Sequence, residues 1–171
     1  MNKNKFLLLF IVCCALPLLG AKIVLELGWF NPGSSSKGQW LQQEYFLLED
    51  ASQRPDHWRI ALIPQQDCQQ SCLQALHTIK QMYIGLGRKQ VQVVPVLIGQ
   101  IPQPAEYPMF QQAAALIELP EQLRNTIVLV DRKGLVLLSY PMPEQAEDMA
   151  ETARSVRADL LKLMNYDRTS V

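Results

Sequence analysis

The sequence lacks net charge, lacks the common catalytic signatures and has little histidine. Sixteen Lys+Arg balance 16 Asp+Glu over 171 residues, and the pI is near 6.7. Phosphate neutralisation needs a basic surface, so nucleic acid is excluded as a partner. No G-x-S-x-G, P-loop or paired-His metal motif is present, which removes the corresponding hydrolases, nucleotide enzymes and zinc sites. Gly85-Leu86-Gly87 reads as a helix stop. The only histidines are His57 and His77. There is no internal repeat, and the length suits one domain rather than a large multidomain enzyme. What is present is apolar: 49% hydrophobic against 19% charged residues, a folding rather than a disordered composition.

That apolar content is densest at the N-terminus. Lys3 and Lys5 precede an unbroken run, Phe6 to Ala21, which resumes after Lys22 as Ile23, Val24, Leu25, Leu27, Trp29 and Phe30. A signal peptide has a basic start, an apolar core of about 7–15 residues and a small-residue cleavage site, and Leu19-Gly20-Ala21 could serve as that site. A membrane anchor needs about 20 mostly apolar residues. Residues 6–27 supply them, Lys22 can snorkel toward the headgroups, and Trp29 and Phe30 suit the interface. The uncleaved anchor, residues 1–28, is the favoured expectation. The positive-inside rule puts Lys3 and Lys5 in the cytoplasm and everything after Leu27 outside it. Cys13 and Cys14 lie mid-anchor without a lipoprotein-type cleavage box and read as apolar residues facing lipid or a partner helix. Residues 1–28 hold three Lys and one Glu, so 13 positive and 15 negative charges remain beyond them. That balance makes no electrostatic demand for an acidic partner or an anionic lipid surface.

Residues 29–39, with NPGSSSKG at 31–38, read as a tether. Residues 40–171 then alternate strands and helices. Extended segments are expected at 40–48, 58–63 and 91–98, with a helix from Asp67 to Arg88 carrying Cys68, Cys72, Leu76, Ile79, Tyr83 and Leu86 on one stripe. A short helix is expected at 109–119. Strands at 126–130 and 135–140 are joined by the tight turn Asp131-Arg132-Lys133-Gly134. A last helix spans 144–164, with Ala146, Met149, Ala150, Ala153, Val156, Leu160 and Leu163 facing inward. The order implies an α/β domain of three layers, a central mixed sheet with helices on both faces.

The chemistry is expected at Cys68 and Cys72. Their C-x-x-x-C spacing, placed where a strand gives way to a helix, puts two sulfurs on one helical face with Cα atoms about 6 Å apart, within disulfide reach. The helix N-terminus favours a thiolate there, and Asp67 opposes it. So small a disulfide loop stabilises little, so the pair suits redox exchange or a soft metal ion rather than a structural staple. Both sulfurs are expected side by side at a solvent-reachable tip. Further ligands are scarce. His57 stands about 20 Å away, at the far end of the strand before Cys68. His77 is about 140° round the helix from Cys72 and reads as exposed. Met109 is a conceivable thioether ligand that reads better as filler. An incidental role for both cysteines also stays open.

The ordered combination resembles the SCO/SenC family of thioredoxin-like copper chaperones. It is nearest to the short membrane-anchored bacterial proteins of that group associated with cytochrome c oxidase. The residues that carry the likeness are Ala15-Leu16-Pro17 running into Gly28-Trp29, Lys37-Gly38, Trp58-Arg59 before Cys68 and Cys72, and Lys80-Gln81 with Leu86-Gly87-Arg88. Val128-Leu129-Val130-Asp131 with Gly134, Tyr140-Pro141 and Asp159-Leu160-Leu161 complete it. The family adds a copper-binding His just before the late hairpin strand, whereas this chain reads Glu121-Gln122-Leu123-Arg124-Asn125-Thr126 there. The resemblance therefore implies the cysteine pair and not the full metal site.

What it implies is a thioredoxin-like domain, 40–171, on a single-pass anchor in the bacterial inner membrane, facing the periplasm. The domain would act in cytochrome c oxidase assembly with an oxidase subunit or another assembly factor as partner. Cys68 and Cys72 would bind or pass Cu(I), a soft ion that two thiolates can hold, or shuttle electrons to a partner's cysteines. The alternative is a thiol-disulfide oxidoreductase in which Cys68 attacks and Cys72 resolves. A non-catalytic assembly scaffold is the third reading.

Overall fold

The computed structural model describes residues 3–26, 36–65, 68 and 70–167, leaving aside the side chains of 3, 4, 6–9, 18, 21, 24–26 and 146. The chain divides into two units, Met1–Ser35 and Ser36–Val171.

The first unit carries helix α1, Lys3–Glu26, with Pro17 inside it. Its 24 residues correspond to about 36 Å of helix. The apolar run expected to span the bilayer depends on side chains at 6–9, 18, 21 and 24–25, which lie outside the described residues, as do Leu27, Trp29 and Phe30. Among the described residues no helix is long and apolar enough to cross a membrane. The fold thus supplies a helix at the expected place without establishing it as transmembrane. Most of the expected tether, residues 29–35, also lies outside the described residues.

The second unit is built on a six-stranded mixed sheet. In chain order its elements are β1 (Gln39–Trp40), β2 (Trp58–Ile63), α2 (Gln70–Ile84), a 3₁₀ turn at Gly87–Gln92, β3 (Val93–Ile98), β4 (Gln111–Ala113), a 3₁₀ turn at Glu121–Leu123, β5 (Thr126–Val130), β6 (Val136–Pro141) and α3 (Ala146–Asp167). The strands lie in the order β1-β6-β5-β2-β3-β4. β2, β3 and β4 run parallel, while β5 is antiparallel to β2 and β6 to β5. β2, β3 and β5 are buried along their whole length, as continuous apolar runs in a two-sided sheet require.

The two faces of the sheet are covered differently. Trp58, Ile60 and Leu62 of β2 pack with Cys72, Leu76 and Ile79 of α2 and with Met149, Val156 and Leu160 of α3. Both helices therefore serve one face. Ala61 and Ile63 point the other way, into a core shared with Leu47, Leu48, Val96, Val128 and Leu123, to which neither α2 nor α3 contributes. This corrects the expectation of helices on both faces. The reason lies at 109–119, where a short helix was expected from its alanines. Gln111–Ala113 instead add a strand to the sheet, pairing Val96, Leu97 and Ile98. A segment of about ten residues is too short to hold a helix by propensity alone, and the ladder satisfies its backbone better.

Local residue chemistry explains the remaining boundaries. Gly134 ends the β5–β6 turn with φ +89, and a Cβ there would lie 1.8 Å from the Leu48 carbonyl oxygen. The Asp131 carboxylate accepts from the N–H groups of Lys133 and Leu135, each at 2.9 Å, which shapes the same turn. Among the inward residues expected on α3, Ala150 is exposed, and Asp159 is buried instead.

Asp159 clasps the start of the domain. Its Oδ2 accepts from the backbone N–H of Lys37 at 2.6 Å and of Gly38 at 2.9 Å, and from the Tyr140 hydroxyl at 2.7 Å. The carboxylate is 1% exposed, with the Lys162 ammonium 4.0 Å from Oδ1. Burial, and then the bond to Asp159, push the Tyr140 phenol far above its ordinary value. Gly38 has no alternative residue, since a Cβ would stand 2.5 Å from the Tyr140 ring. Three of the separate motifs behind the resemblance, Lys37-Gly38, Tyr140-Pro141 and Asp159-Leu160, thus meet at one carboxylate.

Candidate functional site

The site forms where β2 hands the chain to α2. Pro64, lacking an N–H, closes the strand four residues before Cys68. α2 begins at Gln70, so Cys68 stands just before the helix and Cys72 is its third residue. The helix therefore begins three residues after the expected start at Asp67, which lies outside the described residues. The two cysteines are not an i, i+4 pair on a regular helix. Their Cα atoms are 5.1 Å apart and the sulfurs are joined in a disulfide.

Exposure separates the two sulfurs. Cys68 is half-buried at the edge of the helix-side core. Cys72 is 2% exposed and packs inside that core. The expectation that both sulfurs are solvent-reachable is thus corrected. As a first-turn residue of an amphipathic helix, Cys72 falls on the same stripe as Ala75, Leu76 and Ile79, and that stripe faces the sheet. The first turn of α2 carries no acidic residue. Its backbone N–H groups have no partners within the helix and favour negative charge there.

The start of β5 shares this end of the sheet, because Ile63 pairs with Thr126. The preceding turn is held by two hydrogen bonds. The Thr126 hydroxyl donates to the Leu123 carbonyl at 2.7 Å, and the Met142 N–H donates to the Asn125 carbonyl at 2.9 Å. Asn125 takes a left-handed φ of 55°, which asparagine tolerates better than most residues. Arg124 stands here too, 3.4 Å from Glu121. In the stretch 121–126, where the resemblance led to the expectation of a missing copper-binding His, the chain carries Arg124 and Asn125.

No other expected ligand converges on the sulfurs. His57, at the opposite end of β2, lies 3.3 Å from Asp167 and 3.1 Å from the Arg54 carbonyl. His77 is exposed on α2. Met109 lines a cavity with Tyr83, Gln90 and Val93, at the far end of α2 from Cys72, which removes it as a thioether ligand. Among the described residues no group of three or more His, Cys, Asp or Glu could hold a metal ion. Cys13 and Cys14 are exposed on α1 with free thiols. What the site offers is a half-buried cysteine bonded to a buried one at a helix start.

A mixed sheet with two helices on one face and a cysteine pair at the β2–α2 junction defines a thioredoxin-like domain. The chain belongs to the family described as transmembrane-like, thioredoxin-like, C-terminal domain, whose model matches residues 58–166. This agrees with the SCO-type resemblance of the sequence. The solution structure of apo Sco1 from Thermus thermophilus superposes with a TM-score of 0.51 at 20% identity, covering 77% of this chain and 99% of that one. Copper-bound ScoI of Bradyrhizobium japonicum gives a TM-score of 0.40 at 12% identity, covering 66% of this chain and 96% of its own. Copper-bound ScoI of Arabidopsis thaliana gives 0.39 at 14%, covering 63% and 88%. At these identities the likeness to Sco1 shows the fold alone. No curated protein matches the sequence.

Proposed function

We propose that this chain is a membrane-anchored, SCO-like factor that passes two electrons from its Cys68/Cys72 pair to cysteines of a partner, in the periplasm and in the service of cytochrome c oxidase assembly. The observation that carries the reading is the asymmetry of the pair: Cys68 is half-buried at the edge of the core, and its bonded partner Cys72 is buried within it. Anchoring through residues 6–27 rests on the apolar N-terminal sequence, and the family's transmembrane-like description supports it.

The chemistry balances as thiol-disulfide exchange. The Cys68 thiolate attacks one sulfur of a partner disulfide, forming a mixed disulfide and releasing the partner's first thiolate. The Cys72 thiolate then attacks Cys68 Sγ, closes the Cys68–Cys72 bond and releases the second. Two electrons reach the partner, whose thiolates take up the two protons lost by the pair. A thiol reductant of the compartment must restore the dithiol, because the periplasm is oxidising. Burial shields Cys72 from bulk solvent, and the first turn of α2 stabilises its thiolate as the resolving group.

Cu(I) as cargo is the second reading, favoured by the closeness of the sulfurs. Once reduced, two thiolates 5.1 Å apart at Cα suit a soft ion of low coordination number. Cu(II), which prefers further nitrogen or oxygen ligands, is not served by this donor set.

The full chain in detergent decides between them. Equilibration in glutathione buffers should give a two-electron potential that Cys68→Ser and Cys72→Ser both abolish, with turnover of a model disulfide. Stoichiometric Cu(I) uptake against a competing chelator, lost in both variants and unaccompanied by disulfide turnover, would replace electron transfer by copper delivery. Neither activity would leave the scaffold reading.

A further inference from the structure

The outer edge of the sheet at β1 carries apolar and aromatic side chains where charge is usual. Edge strands are commonly guarded by lysine, proline or other charged residues, yet residues 39–46, Gln-Trp-Leu-Gln-Gln-Glu-Tyr-Phe, hold a single charged residue, Glu44. Trp40 is 54% exposed and Phe46 48%. Opposed residues of an antiparallel pair share a face, and Trp40 opposes Leu138 while Phe46 opposes Leu135. Leu138 lies in the helix-side core. Leu135 precedes Val136 of the opposite core, so alternation turns Leu135 to the helix side as well. The two aromatic rings thus stand on one face, about 10 Å apart along β6, with half-buried Leu137 in the interval on the same side. α3 extends the strip. Asp159 faces Gly38 and Tyr140, and further along that stripe stand Leu163, half-buried, and Tyr166, 72% exposed.

The occupant follows from where the chain enters the domain. The Trp40 indole N–H donates to the Ser36 hydroxyl at 2.7 Å, so the ring sits at the first residue of the second unit. Residues 28–35 alone separate Ser36 from the apolar run 6–27, and eight residues reach at most about 29 Å. Tryptophan and tyrosine, each an apolar ring with a polar handle, suit the boundary between acyl chains and headgroups. Lys37 and Lys162 flank the strip and Glu44 and Asp159 offset them, so contact depends on apolar area rather than on anionic lipid. We propose that this edge docks on the lipid bilayer, with Trp40 and Phe46 entering the headgroup region; the proposal rests on the anchoring of residues 6–27. β2, which leads to Cys68, lies three strand spacings in from β1, about 14 Å. Docking therefore holds the cysteine pair close to the membrane surface, where a partner's cysteines must be presented.

The test places the full chain in phosphatidylcholine nanodiscs, one chain per disc, with a gadolinium-chelating headgroup lipid, and reads paramagnetic broadening of backbone amides by NMR. β4 lies five strand spacings from β1, about 24 Å, so broadening at Trp40, Phe46 and Leu137 at least about tenfold that at Gln111–Ala113 is expected. Trp40→Gln combined with Phe46→Gln removes the two exposed rings and should bring the edges to within about twofold, because interfacial binding scales with buried apolar area. Both side chains are half-exposed, and amide shifts of the distant strands verify that the variant is folded. Equal broadening at both edges of the native chain, broadening centred on another face, or an undiminished contrast in the double variant would overturn the proposal. So would a contrast that appears only with two chains per disc, which would make a second copy the occupant. Alkaline carbonate extraction tests the anchor by itself. A chain that resists extraction yet broadens equally loses the docking and keeps the anchor; a chain that is extracted loses both.

Discussion

Replacing Asp159 by alanine should cost this domain a large share of its stability. Three donors converge on one oxygen, and hydrogen bonds to a charged group contribute about 1.5–3 kcal/mol each without being additive. Lys37 is exposed and its N–H can rehydrate, whereas Gly38 and Tyr140 are buried and cannot. Counting those two donors, Asp159→Ala should lose about 3–5 kcal/mol, against a total near 5–15 kcal/mol for a domain of this size. Asp159→Asn keeps an acceptor for the donors and loses only the charge, for about 1–2 kcal/mol. Alanine is the better helix former, so helix propensity cannot account for a loss on α3. Urea unfolding at a constant m-value measures both variants, and amide exchange at Gly38 reports the clasp directly. A loss below about 1 kcal/mol for Asp159→Ala, or a Gly38 amide as protected as before, would refute the reasoning.

The same cluster sets an alkaline limit. The Tyr140 phenol is held above its ordinary 10.0 in the fold. The unfolded chain therefore loses that proton first, and the phenol's stabilising contribution, complete below pH 10, is lost as pH rises further. The difference in unfolding free energy between the native chain and Tyr140→Phe should shrink by about 1.4 kcal/mol per pH unit above 10; a pH-independent difference would count against it. At the cysteine pair, maleimide should label Cys68 in Cys72→Ser at least about tenfold faster than Cys72 in Cys68→Ser, read by peptide mapping to separate Cys13 and Cys14. Equal rates would show the buried sulfur to be accessible. Gly134→Ala places a Cβ against the Leu48 carbonyl at positive φ and should destabilise by about 3 kcal/mol or more, seen as a lowered urea midpoint.

The sequence by itself determined the strands at 58–63 and 126–130, the strand expected at 91–98 apart from its first two residues, which belong to a 3₁₀ turn, the Asp131–Gly134 turn, the last helix and the position of the cysteine pair. Each is written in a local pattern: an apolar run, a turn residue, a 3.6-residue stripe or a spacing of four. Met109–Leu119 misled for the complementary reason, because its alanines favour a helix locally while the open edge of β3 supplies hydrogen bonds that no local pattern records. Only the tertiary structure decided which cysteine of the pair is buried, since burial of Cys72 requires the sheet and α3 to be packed beneath α2. It alone joined Gly38, Tyr140 and Asp159, which lie up to 121 positions apart. Burial and long-range pairing belong to the assembled layers, and a one-dimensional pattern holds only the residues that the layers will choose between.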